Sequence, residues 1–259
     1  MLRNLFILLL LIFFKLGISA QNPESTSIDN ELWLNYSVKV ETGTGFSYGG
    51  DTGLRGFWSN YDWNQFLIRP TVNYKINRTF DAALAVALFQ TWNKNLPNIT
   101  EFRIHQDFSF EWPPAKWLSV FGRARLEQRF FSFQAEELSN EFRVRGRLLL
   151  GIQSQDLTWF GEKRPIFFQT LIEGFQTFAN QDKVLVINQS RFHIALGHRI
   201  ANNWRYEFHF ILQGTRLNPQ NELRLNQHIF RLRVFHTIPK KKSSISIEEI
   251  ENVRANVFN

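Results

Sequence analysis

Residues 101–112 read EFRIHQDFSFEW, and their alternation decides the fold. Glu101, Arg103, His105, Asp107, Ser109 and Glu111 fall on one side of an extended strand. Phe102, Ile104, Phe108, Phe110 and Trp112 fall on the other, with Gln106 the exception. Successive side chains of a strand point to opposite faces, so this is a ribbon with one charged and one aromatic, apolar side.

The same pattern recurs in both directions. Eleven strand-like segments can be read, at 30–41, 45–58, 65–76, 80–92, 101–112, 117–131, 140–150, 165–178, 185–200, 204–215 and 223–237. In 117–131, Arg123, Arg125, Glu127 and Arg129 oppose Leu118, Val120, Ala124, Leu126 and Phe130. In 140–150, Glu141, Arg143, Arg145 and Arg147 oppose Phe142, Val144, Leu148 and Leu150. Segment 80–92 is apolar on one face and carries Ala83, Ala85 and Ala87 on the other. Pro70 lies inside a segment and cannot donate to a ladder, so an irregularity is expected there.

Short connections (77–78, 112–115, 201–203) alternate with longer polar ones (93–100, 132–139, 179–183, 216–222) along much of the chain. The stretch 153–164 is long where a short turn is expected. Bacterial membrane barrels alternate in this way and have an even strand number. The expectation is therefore an all-β antiparallel transmembrane barrel of ten to twelve strands, with twelve the first choice, ten the second and the count of eleven off by one.

Residues 1–20 read as an export signal: Arg3 and Asn4, an apolar run over 5–14, then small residues up to Ala20. Lys15 ends the run too early for a membrane-spanning helix. The expected organisation is a signal at 1–20, an N-terminal segment at 21–29, the barrel over 30–238 and a periplasmic tail over 239–259, with a helix at 246–255. The chain contains no Cys, which excludes disulfides, Cys-bound metals and a lipid-anchor Cys. No metal site or cofactor is expected. The formal charge of +7 falls to +5 once Arg3 and Lys15 are removed. Nucleic acid is not the expected partner. Of the 30 basic residues 20 are Arg, most of them on strands beside Glu, and Arg suits packed ion pairs better than Lys does.

A soluble sandwich or a lipocalin-type barrel would also alternate, with the apolar face inward. Three features favour lipid outside. The apolar faces are long, near the ~9–11 residues of a membrane strand. Trp58, Trp92, Trp112, Trp117 and Trp204 lie at strand ends, where an aromatic belt belongs. An Arg on the lipid face would cost ~2–4 kcal/mol at the bilayer midplane, so the charged faces must line the lumen. The expected partner is a lipid bilayer and the expected location the bacterial outer membrane.

A set of short motifs runs in order along the chain. It comprises Trp33, Arg69-Pro70 with Tyr74, Glu101-x-Arg103-x-x-Gln106, Arg123-x-Arg125-x-Glu127-x-Arg129, Arg143-x-Arg145, Glu173-x-Phe175 and Asn188-x-x-Arg191. In these the chain resembles an uncharacterised family of bacterial outer-membrane β-barrels, domain of unknown function 2490, from Trp33 to about Phe235. The resemblance implies an outer-membrane barrel and supplies no activity. The tail beyond Pro239 is not part of the pattern.

The dense charge constellation is Glu101, Arg103, Arg123, Arg125, Glu127, Arg129, Glu141, Arg143, Arg145 and Arg147, joined by Glu173 and Arg191. Opposite charges on neighbouring strands attract across the ladder. One reading is a Glu–Arg network that fills a narrow, mostly occluded lumen, as small barrels are filled. A second is an anion-preferring lining for small acidic solutes, since Arg exceeds Glu. A third is an outer-membrane lipid hydrolase built on His193, His198 or His209 with Ser190 or Ser109. No motif fixes a nucleophile, so no catalytic residue is assigned and an enzyme is not expected. Glu127 is expected to matter most to the network, more than Glu136 or Glu137 of an outer loop.

Overall fold

A computed structural model describes residues 28–57, 62–115, 117–135, 138–159, 161, 164–178, 188–201, 203–216 and 224–239. The export signal over 1–20, Trp58, Glu136, Glu137 and the tail from 240, with its expected helix, lie outside the described residues. Among the described residues eleven strands follow one another: β1 (Asp29–Glu41), β2 (Phe46–Phe57), β3 (Trp63–Lys75), β4 (Phe80–Asn93), β5 (Ile99–Ala115), β6 (Leu118–Phe133), β7 (Glu141–Ser154), β8 (Ile166–Phe178), β9 (Gln189–Ala201), β10 (Trp204–Thr215) and β11 (Arg224–Ile238). Each pairs with its sequence neighbours, and β1 pairs with β11 to close a barrel. Among the described residues there is no helix.

Eleven strands lie within the expected ten to twelve, but the expected even number is wrong. Every hairpin reverses the chain, so in an odd meander the first and last strands run the same way. The seam is accordingly a parallel ladder, from Asp29 opposite Gln227 to Val40 opposite Ile238. Parallel pairing is only slightly weaker per residue than antiparallel pairing, so one such seam can close the sheet. It also means that the barrel's first and last strands enter and leave at opposite ends.

The two faces separate as the alternation requires. Leu84, Phe142, Leu148, Ile172 and Phe208 point outward and are exposed, while Glu101, Arg103, His105, Glu127, Glu173, His193, Glu207 and His209 point inward and are buried. Trp92, Trp112, Trp117 and Trp204 stand exposed at strand ends. Trp204 stacks on His236 with ring centroids 4.1 Å apart.

The irregularity expected at Pro70 is present. Ile68 pairs with Leu88 and Thr71 with Ala85, but Arg69 and Pro70 have no partner in the β3–β4 ladder. On the other side Pro70 faces Gly50, whose φ is +152° and where a Cβ would lie 2.2 Å from the Arg69 carbonyl oxygen. Only glycine takes that conformation without strain.

The lumen is not lined by charge alone. Trp33, Ile211 and Ile229 form one apolar cluster inside it, and Leu67, Ala87 and Phe89 form another. Phe167 lies across Gly197, where a Cβ would meet its ring at 2.0 Å. The Ala-rich face of β4 points inward: Ala87 opposes Arg103, and its small side chain leaves room for that guanidinium.

Candidate functional site

The site is the lumen. Its strongest feature is a relay of ion pairs that follows the ladder registers across five strands. Asp107 opposes Arg125 and accepts two bonds from it, at 2.5 and 2.6 Å. The Arg125 Nη1 also lies 3.7 Å from Glu127 Oε1. Glu127 opposes Arg145 on β7, and its Oε2 accepts from Arg145 Nε at 2.7 Å. Its Oε1 accepts from Arg147 Nη1 at 2.8 Å. Arg147 then reaches Glu173 on β8 at 2.7 Å, and Glu173 also takes Arg123 at 3.2 Å and Arg191 of β9 at 3.7 Å. A planar guanidinium can serve two carboxylates at once, which a lysine cannot do with the same geometry.

Glu101 holds a second knot, accepting from Arg103 Nε and Arg129 Nε at 2.5 Å each. By alternation Glu127 shares a strand face with Arg125 and Arg129 and has Arg143 and Arg145 on the next strand, but not all of these become its partners. Arg129 is taken by Glu101, and Arg143 pairs with Glu141 at the exposed start of β7. Glu141 and Arg143 therefore stand outside the buried network. The partner Glu127 gains instead is Arg147, its diagonal neighbour, which a long side chain reaches across the ladder.

Other carboxylates inside the barrel are not in the set read from the sequence. Asp51 receives a bidentate bond from Arg69, at 2.6 and 2.8 Å. Glu207 collects His209 at 3.0 Å and Arg205 and Arg233 at 3.3 Å each. The signal for both was the same alternation, diluted on β2 by glycines and on β10 by aromatics. Aromatic rings pave the gaps between charges. The Arg103 guanidinium lies 3.7 Å from the Phe89 centroid, and Arg147 and Arg191 lie 4.7 and 4.6 Å from that of Phe175. Each such contact contributes about 0.5–2 kcal/mol, more when desolvated.

A cavity of about 780 Å³ threads between these side chains and is lined from all eleven strands. Thirteen Arg and six Asp or Glu line it. Asp51, Asp107 and Glu127 sit behind the lining and neutralise part of that excess, and Arg still predominates. An excess of Arg over carboxylate is the balance that an anion-attracting passage or site requires.

The histidines do not assemble a nucleophile. His193 and His209 share the lumen with ring centroids 6.0 Å apart, and His209 is held by Glu207. His198 points outward against Tyr206. Ser109 faces the lumen opposite Arg123, whereas Ser190 faces outward opposite Gly174. Among the described residues no hydrogen bond joins a serine to any of these histidines. The described residues also contain no group of three or more His, Cys, Asp or Glu placed to hold a metal ion.

A family described as "Protein of unknown function (DUF2490)" matches residues 30–224. The chain belongs to this family. The match spans β1 to β10, and β11, which closes the barrel, begins where it ends. Among curated proteins none matches the chain.

Proposed function

We propose that this chain is a bacterial outer-membrane barrel whose lumen is largely filled by its Arg–carboxylate network. One observation carries the reading: the outward face is apolar and exposed around the barrel, while the charged groups are gathered inside. Soluble proteins rarely expose contiguous apolar patches beyond a few hundred Å². In a bilayer the same belt is the required lipid face, with Trp at its margins. The short connections from β3 to β4, β5 to β6 and β9 to β10 gather at one end, which suits the periplasmic side. The longer 155–165 connection shares that end and is tied down by a bridge between Leu157 and Ile166.

Cell fractionation tests the location, together with refolding of the chain into lipid vesicles. The folded chain should resist extraction until detergent is added. Recovery from the aqueous phase without detergent would overturn the reading.

A second reading, a narrow passage preferring small acidic solutes, is favoured by the Arg excess along the cavity. Planar-bilayer recording separates the two. Silence or rare, small events support the filled barrel. A sustained conductance with anion preference supports the passage.

A further inference from the structure

Most lumen arginines are tied to a carboxylate, but three that gather around Trp33 are not equally matched. Arg55 lies 4.2 Å from the Trp33 ring centroid, Arg191 5.0 Å and Arg231 5.7 Å. They come from β2, β9 and β11, so the barrel's closure is what brings them together. Arg55 donates to Gln65 Oε1 at 3.3 Å, Arg191 to Gln213 Oε1 at 2.6 Å and Arg231 to Asn35 Oδ1 at 2.8 Å. These acceptors are neutral amides. The carboxylate in their midst, Glu31, is buried and accepts from Trp33 Nε1 at 2.7 Å. Glu173 lies 3.7 Å from Arg191 and is shared with two other arginines. The Nε of Arg55 is buried and without a hydrogen-bond partner among the described residues. Arg55 is repelled by Arg103, Arg191 and Arg69 and attracted by Asp51, which Arg69 already holds.

Like charges held together under partial burial are costly unless something negative joins them. The groups are donors in planar forks, the geometry that matches phosphate and carboxylate oxygens. All three border the cavity. They lie in the half of the barrel nearest the 179–188 and 216–223 connections, the end away from the short connections. We infer that Arg55, Arg191 and Arg231, arrayed about Trp33, bind a small free oxyanion with two or more negative charges, of the phosphate or dicarboxylate kind. Glu31 disfavours a neutral or singly charged ligand less than a multiply charged one, but three guanidiniums outweigh it. The inference rests on the lumen being reachable by solute and deepens the acidic-solute reading.

The test uses the full chain folded in detergent, with inorganic phosphate as the probe at constant ionic strength and chloride as the control. Thermal midpoint and calorimetric titration should show saturable phosphate binding. Arg55→Gln with Arg231→Gln should weaken it by about tenfold or more, since each lost charge-assisted bond is a large part of such an affinity. Lys39→Gln, at an exposed strand end outside the cavity lining, should leave it unchanged. Heat-shifted electrophoretic mobility and far-ultraviolet dichroism establish that every variant is folded. Absence of saturable binding, or equal binding by the double variant, would overturn the site. Phosphatidic acid added to the micelle alongside phosphate should not compete; competition would overturn the assignment to a free solute. Binding in detergent does not need passage, so a silent bilayer with intact binding would refute the passage and leave the site.

Discussion

Glu127 and Glu173 stand on strands two apart and are joined by one guanidinium. Arg147, between them on β7, gives Nη1 to Glu127 at 2.8 Å and Nη2 to Glu173 at 2.7 Å. This side chain joins the Asp107–Arg125–Glu127 pairs to those that Glu173 makes with Arg123 and Arg191.

Glu127 should be the member whose loss is felt most. It is 1 % exposed and holds Arg145 and Arg147, with Arg125 close by. Removing one partner of a buried ion pair costs about 3–5 kcal/mol, because the remaining charge is uncompensated. Glu127→Ala should therefore unfold at clearly lower urea or temperature than wild type in detergent or lipid. Glu41→Ala, at an exposed strand end beside Lys39, should stay within about 0.5 kcal/mol. Equal midpoints for wild type and Glu127→Ala would refute the network's role.

The outward face offers a direct reading of its solvent. Leu148 is 68 % exposed on the outside of β7. In water Leu148→Arg would be close to neutral, as for most exposed sites. In a bilayer it should cost up to ~2–4 kcal/mol, according to its depth. Equilibrium folding of the variant into lipid vesicles measures the difference. A neutral outcome there would argue against lipid contact at this position.

Phe167 is fully buried and its ring covers Gly197. Gly197→Val should overpack the lumen, at about 1–3 kcal/mol or more, since both the ring and the strand are fixed. Truncating the ring in Phe167→Ala should relieve the clash when combined with Gly197→Val. A double-mutant cycle that found the two substitutions additive would show that the contact is not the cause.

Any conductance should prefer anions, because Arg exceeds Asp and Glu along the cavity. The measurement is the reversal potential under a salt gradient. Arg55→Gln with Arg231→Gln should shift it toward the unselective value. Cation preference in the wild-type protein would contradict the charge reading.

Much of this architecture was legible in the chain, and the strand limits most of all. All eleven segments read from alternation correspond to strands, with ends differing by a few residues. The faces were legible for the same reason: side chains alternate across a strand whatever its neighbours are. Family membership agrees with the motif order, from Trp33 through Asn188-x-x-Arg191. The identity of ion-pair partners was less legible. Glu127 has Arg125 and Arg129 on its own strand face, yet it bonds Arg145 and Arg147 across the ladder. Register and twist choose among arginines that look equivalent in one dimension.

The sequence by itself determined what is local: where the chain is extended, which side chains share a face, and that one face is apolar and the other charged. Only the tertiary structure decided what depends on closure. The parallel seam of β1 with β11 follows from the odd number of strands, against an even number expected from barrels in general. The Trp33, Ile211 and Ile229 cluster inside the lumen and the gathering of Arg191 and Arg231 at Trp33 join residues more than a hundred positions apart along the chain. Periodicity is a property of neighbours along the chain. Contacts across a lumen depend on strand number and register, which are settled only when the sheet meets its own edge.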